Sequence, residues 1–519
     1  MNRKLRELLA GCVVFAVGAT VPRQRISAQN PNSRGPSSTI PRTWDDAAMA
    51  TLEVPLANPI GTPKSASADY YYRVPVRPIY KSYPIYTPGH EPPGYLDWLK
   101  RQEPQIVWDD KGHAPPLKTE ADWIRAGKIA FDAPIAYGFP TYDEQPKSLY
   151  VRDPDWYTRT GSPVGTDGVL PFYSYVIRQK GKVEIGVLAC ATCHTRVMPE
   201  GSLINGAQGN FPFDRSVAYE HRTVNNLDEA RLAELFLYAA PWVEPTLPIH
   251  FSAMSVEAIA AMHEVIPPGV LARHNSNPFY PPHVPDLIGV KERRYLDATG
   301  LQQQHSIVDL MRYAALNQGG DYLASYDGFI PIGLPNFKKL PQPDQAGDRY
   351  SDEQLYALAL YVYSLKPPPN PNKFDGLAQR GQKVFEREGC AGCHTPPLYT
   401  NNKLTLAEGF IPPPGAEQKY DILPISVGTD PGLATKTRRG TGYYKVPSLK
   451  GVWYRSMFGH SGWCATLEDW FDPRRTRDDY VPTGFKSYDA KSYAVKGHPF
   501  GLNLSAEDKR ALIAFLRTL

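Results

Sequence analysis

The sequence predicts a mainly α-helical protein built from two related modules, preceded by a proline- and tyrosine-rich arm and interrupted by long irregular loops. Three observations carry this prediction. The pentad Cys190-Ala191-Thr192-Cys193-His194 has a twin in Cys390-Ala391-Gly392-Cys393-His394. The segments flanking the two pentads repeat one another in order. The 519 residues include 52 prolines and 32 tyrosines, which call for extensive, well-packed irregular chain.

Each pentad reads C-x-x-C-H, the signature of c-type haem attachment. Two thiols at this spacing reach the two vinyl groups of one porphyrin, and the adjacent imidazole turns onto the iron. A redox C-x-x-C pair does not need the histidine. A thiolate zinc site needs further ligands, and Cys12 and Cys464, the only other cysteines, cannot complete two such sites. Two covalently attached haem c groups are therefore expected. Cys190, Cys193, Cys390 and Cys393 would attach them, with His194 and His394 as the proximal iron ligands.

Taken in chain order, residues 1–28 read as a secretory signal. Arg3, Lys4 and Arg6 precede an uncharged apolar run from Leu8 to Val21, and Ser27-Ala28 offers small residues for cleavage. That run is too short to span a bilayer, and no later run is long enough. A periplasmic or extracellular address follows, and bacterial haem attachment takes place there. The net charge of +4 makes no case for nucleic acid or an anionic membrane surface. Residues 29–118 are expected to form an extended arm wrapping the body. The first cytochrome c-like module is placed at 119–366. Within it, Glu120 to Phe131 reads as a helix. Tyr173–Ile177 and Val183–Val187, on either side of Lys180-Gly181, read as a hairpin delivering Cys190. Leu227 to Ala239 reads as a further helix. Lys366-Pro367-Pro368-Pro369-Asn370-Pro371 is a stiff, exposed link, and the second module occupies 375–519.

The internal repeat is the most informative feature. Gly127-x-x-x-Phe131 matches Gly381-x-x-x-Phe385. Val284-Pro285-x-Leu287-x-Gly289-Val290-x-x-Arg293 matches Val446-Pro447-x-Leu449-x-Gly451-Val452-x-x-Arg455. Ser351-x-Glu353 and Ser505-x-Glu507 open two amphipathic helices with N-cap serines and acidic first turns. Each module thus has an entry helix, a pentad, a distal loop and a closing helix.

The repeat also compares the irons. His460 lies fourteen residues after Val446 and is the expected second ligand of the His394 iron, with Met457 as the competitor. Fourteen residues after Val284 stands Ala298, flanked by Asp297 and Thr299, none of them a usual haem ligand. An iron held on one side only leaves a position for dioxygen or peroxide; an iron held on both sides passes electrons. His194, Ala298 and Tyr295 are therefore the candidate catalytic positions. His274, His283, His305 and Tyr295 are alternative ligands whose default role is surface or hydrogen-bonding. Arg293, Arg438, Arg439 and Arg455 are candidate partners for haem propionates.

Together these residues resemble the dihaem cytochrome c peroxidase superfamily, which includes MauG-type enzymes and extracellular dihaem rubber oxygenases. The resemblance covers roughly residues 119–519. It rests on the pentads, the paired V-P-x-L motifs and Gly497-His498-Pro499-Phe500-Gly501-Leu502. Gly440 to Leu449 and the near-200-residue haem spacing look most like the rubber oxygenases. That branch implies an oxygen-binding first haem and a six-coordinate second haem that tunes or relays electrons. The superfamily also implies a calcium ion between the modules. Tyr295-Leu296-Asp297-Ala298 departs from the Phe-Trp-Asp-Gly run of classical peroxidases. Their catalytic Glu has no counterpart around Leu316-Asn317-Gln318, with only Asp321 and Asp327 nearby. The favoured activity is oxygen-dependent oxidation or cleavage of a small or polymeric apolar, unsaturated substrate at the first haem. The alternatives are a peroxidase fed electrons by a small cytochrome, and a non-enzymatic electron carrier.

Overall fold

The computed structural model describes residues 40–49, 63–65, 67–137, 150–223, 254–272, 278–300, 302–317, 324–326, 348–436 and 441–519. The expected signal segment, the Leu227–Ala239 helix, His274, Asp321, Asp327, Arg438 and Arg439 lie outside these residues. No helix among the described residues is long and apolar enough to cross a membrane.

Two helix pairs are built alike. Thr119 caps the helix Glu120–Asp132 through a reciprocal capping box, and Ser351 with Gln354 does the same for Asp352–Ser364. These two helices pack together, with the Phe131 and Tyr361 rings 5.2 Å apart. Asp375 and Ser505 cap Gly376–Arg387 and Ala506–Arg517, which pack in the same way, with Phe385 and Phe515 5.3 Å apart. The glycine one turn before each phenylalanine explains the close crossing. A methyl on Gly127 would run into the Ala357 carbonyl, and one on Gly381 into the Ala511 carbonyl. Only a residue without Cβ lets the two backbones meet.

Sheet is more prominent than the helical expectation allowed. Ser82–Tyr86, Val169–Gln179, Lys182–Val187 and Ala136–Tyr137 form one antiparallel sheet in that order. The hairpin turns at Lys180-Gly181, with Gly181 at φ +83°, and its second strand leads straight into the short helix Cys190–His194. A three-stranded sheet, Ile422–Ser426, Leu404–Leu406 and Tyr443–Lys445, lies in the C-terminal part.

The extended-arm reading of 29–118 needs correction over its described part. Ala68–Arg73 and Tyr95–Lys100 are helical, and Ser82–Tyr86 is the edge strand of the large sheet. Alternation along that strand buries Tyr83 and Ile85, and Trp44, Tyr71 and Trp108 are almost fully buried. Apolar burial of this extent makes the segment part of the body. The link at 366–371 has no helix or strand and is largely exposed.

The helix crossing yields a test. Gly381→Ala should cost about 2 kcal/mol or more, since the added methyl meets backbone that cannot yield. Gly376→Ala, where nothing lies within 4 Å of the added carbon, should be near neutral. Thermal unfolding of the two variants measures the difference.

Candidate functional site

The site is built around the two pentad histidines, and both are held in one way. His194 Nδ1 donates to the Pro285 carbonyl at 3.0 Å. His394 Nδ1 faces the carbonyls of Tyr399 at 3.1 Å and Pro447 at 3.2 Å. Carbonyls only accept, so Nδ1 carries the proton and Nε2 presents its lone pair on the other side. This is the tautomer that an iron-ligating histidine needs. The V-P-x-L motifs supply these carbonyls, which gives their recurrence a physical reason.

Cys190, Cys193 and His194 line a cavity of about 270 Å³. Ala298 is on its wall, with Leu296, Leu310, Leu316, Leu358 and Val362. Thiols, an aimed imidazole and a mainly hydrocarbon wall fit a covalent porphyrin. Polar groups are few. Asn317 lines the cavity and donates to the Tyr313 carbonyl at 2.8 Å. Asp297 also lines it, but its oxygens accept from the Thr299 N–H and hydroxyl and the Gln302 N–H, closing its own loop. His283 lies on the wall too. Its Nδ1 donates to the Gly459 carbonyl at 2.7 Å, and burial pushes its pKa down to about 4.

Tyr295 does not reach this cavity. It is 1% exposed and packs with Leu404, Tyr420 and Tyr443 beneath the three-stranded sheet. Ala298 lines the cavity and Tyr295 does not, so the structure does not place Tyr295 where a catalytic or ligating role at His194 would need it. His305 is exposed, and its backbone N–H donates to Asp309. Arg293 and Arg455 spend donors on the carbonyls of Ile288 and Ser448 respectively.

At the second pentad the structure brings in a residue to which the sequence reading had given no role as a ligand. The His498 ring centroid lies 6.3 Å from that of His394. Two imidazoles ligating one metal from opposite sides stand at about this separation, given a metal–nitrogen distance of about 2 Å on each side. His498 is held with care. It adopts φ +55°, its N–H donates to the Val427 carbonyl at 2.6 Å, and its own carbonyl accepts from Arg475 at 2.6 Å. Arg475 is fully buried and also donates to the carbonyls of Trp470, Val495 and Gly497. Burial pushes the His498 pKa down to about 3, leaving a neutral imidazole with a lone pair to give.

His460 occupies a different environment. Its Nε2 is 3.1 Å from the Tyr444 hydroxyl and its ring stacks on Tyr444 at 4.2 Å, with Trp463 edge-on at 4.4 Å. Met457 packs near Val270 and Gly462. The structure therefore places His498, and not the expected His460, against the His394 ring. A sequence signal did exist. His498 stands seven residues before Ser505, and the matching position before Ser351 is Asp344, so the repeat carries the same ligand asymmetry there.

No family model matches the chain. A stretch of 219 residues is 28% identical to cytochrome-c peroxidase IdrP1 of Pseudomonas sp. (strain SCT). That stretch covers 37% of this chain and 54% of the relative, so the chain spans about half the length of the curated relative it matches. Among solved structures, hydrazine synthase of Kuenenia stuttgartiensis is 16% identical, with 56% of this chain and 86% of that chain covered at a TM-score of 0.29. A MauG-like protein associated with microbial copper homeostasis is 17% identical, with 46% and 73% covered at 0.28. Neither superposition is close enough to bear weight.

The two histidines separate experimentally. In protein matured in a bacterial periplasm, His498→Ala should convert the second haem from low-spin to a five-coordinate or water-bound form. His460→Ala should leave its spin state unchanged. Electron paramagnetic resonance of the two variants reads this directly, and the opposite pattern would restore His460.

Proposed function

We propose that the chain is an exported dihaem c-type oxidoreductase that oxidises or cleaves an apolar unsaturated compound with dioxygen at the His194 haem. The observation that carries this reading is the cavity beside His194, where Ala298 stands among hydrocarbon side chains and Asp297 is committed to its own loop. A haem bound there supplies the iron chemistry that activates dioxygen. The chain's residues supply the rest. Cys190 and Cys193 attach the group, and Pro285 aims His194. Leu296, Leu310, Leu316 and Val362 exclude water and favour an apolar substrate or a neutral diatomic, which need little polar compensation. Cys390 and Cys393 would attach a second group, which His394 and His498 would hold and which would supply electron relay or tuning. With two imidazoles available at the His394 side and Ala298 opposite His194, substrate would be taken on the His194 side.

Peroxide reduction is the second reading. It is favoured by the similarity to a protein named as a cytochrome-c peroxidase. Splitting peroxide calls for an acid/base group beside the iron. Among the described residues on the cavity wall, Asp297 is the one carboxylate, and its oxygens already accept hydrogen bonds from its loop. That weighs against rapid turnover. Peroxide and a small electron-donor cytochrome would be the partners in this case.

Mass, spectra and turnover assays test the proposal. Intact mass should show a gain of two haems, falling to one in the Cys190→Ala, Cys193→Ala double variant. Carbon monoxide should shift the absorption of the His194 haem alone, and polyisoprene or a related alkene should give an oxygen-dependent carbonyl product with slow peroxide turnover. Fast turnover of peroxide with reduced cytochrome c, and no product from any alkene, would establish the second reading instead.

A further inference from the structure

The resemblance to dihaem peroxidases implies a calcium ion between the modules, and the junction itself can be examined for one. It lies where the two V-P-x-L loops meet, around Pro285, Asp286, Pro447 and Ser448, and it encloses a cavity of about 40 Å³. That is room enough for water or an ion. Charge and oxygen supply therefore decide, rather than space.

Calcium takes six to eight oxygen ligands. The oxygens at this junction already have donors. Asp286 Oδ1 accepts from the Ile288 N–H at 2.9 Å; Oδ2 accepts from the Tyr454 hydroxyl at 2.8 Å and from Arg455 at 3.0 Å. The Pro285 and Pro447 carbonyls hold His194 and His394. The Val446 carbonyl accepts from the Thr400 hydroxyl at 2.6 Å, and Asn402 Oδ1 from the Arg294 N–H at 3.2 Å. The carbonyls of Tyr295 and Leu296 both accept from Lys445 Nζ at 3.1 Å. Among the described residues no group of three or more His, Cys, Asp or Glu side chains could hold a metal ion.

The charge balance points the same way. Lys445, Arg293 and Arg455 meet here, and the carboxylates that act on them, Asp286, Asp297 and Glu292, only match them in number, which leaves no surplus negative charge for a divalent ion. Burial pushes the Lys445 ammonium down to about 7, and Arg293 and Arg455 push in the same direction. A divalent ion added beside this group would meet positive charge already held at a cost.

We infer that Lys445 does at this junction the work of a bound calcium ion, and that the chain carries no calcium between its modules. Its side chain gathers the Tyr295 and Leu296 carbonyls, and its own N–H donates to the Ala298 carbonyl at 3.0 Å. It thus ties the loop bearing Ala298 to the strand Tyr443–Lys445. Two residues beyond that strand, Pro447 holds His394. One side chain joins the wall of the first cavity to the support of the second pentad. A link made this way is part of the chain and does not depend on ion supply.

The test uses the full chain with both haems attached. Elemental analysis after gel filtration without chelator should find calcium far below one per chain. Chelator, or added calcium chloride, should leave the melting temperature and the haem absorption bands unchanged. Lys445→Met, similar in length without the charge, should lower the melting temperature by a few degrees. Close to one calcium per chain, with haem bands that move on chelation, would overturn the inference whether or not the variant folds. So would a Lys445→Met protein with the melting temperature and haem bands of the parent.

Discussion

Each pentad histidine is held by the carbonyl of a proline, Pro285 for His194 and Pro447 for His394. That hydrogen bond fixes the tautomer, sets the direction of Nε2, and joins chain segments 91 and 53 residues apart. The remaining architecture can be read as support for it. The entry and closing helices brace the pentads from one side through the Gly127 and Gly381 crossings. The V-P-x-L loops brace them from the other, tied down by Arg293, Arg455 and Asp286. A metal-binding imidazole that could swing would lose the orientation on which ligation depends.

Much of this frame was legible in the sequence because it is local or repeated. The pentads need only five residues. The caps at Ser351 and Ser505 are set by a side chain and the turn that follows it. The two crossings follow from a glycine and a phenylalanine four residues apart. The hairpin before Cys190 was equally plain, since strand alternation and a glycine turn are both short-range signals.

What escaped was decided by long-range packing. Residues 68–108 carry so many prolines and tyrosines that local signals favoured irregular chain. Strand pairing between Ser82–Tyr86 and Val169–Gln179 overrides them through aromatic burial far along the sequence. Tyr295 illustrates the same limit at the scale of one side chain. Its place in the chain put it beside Ala298, and the neighbouring sheet drew it into a separate aromatic cluster. His460 was expected near His394 by counting from Val446, which presumed that the ligand comes from the distal loop. The structure instead presents His498 from the segment leading into the closing helix, on a backbone conformation that a histidine's composition does not announce.

Arg475 has a consequence for electron energetics. Its guanidinium is fully buried, and its donors are spent on main-chain carbonyls, dipoles that carry no formal charge. Its positive charge therefore remains largely uncancelled, and it bears on the neighbouring His498. Were His498 to hold an iron, that charge would bear on it as well. Oxidising an iron adds a positive charge, and a fixed cation in a low-dielectric interior opposes the addition. The same guanidinium that shapes the loop would thus raise the reduction potential of the second haem, making it an electron reservoir rather than a strong reductant.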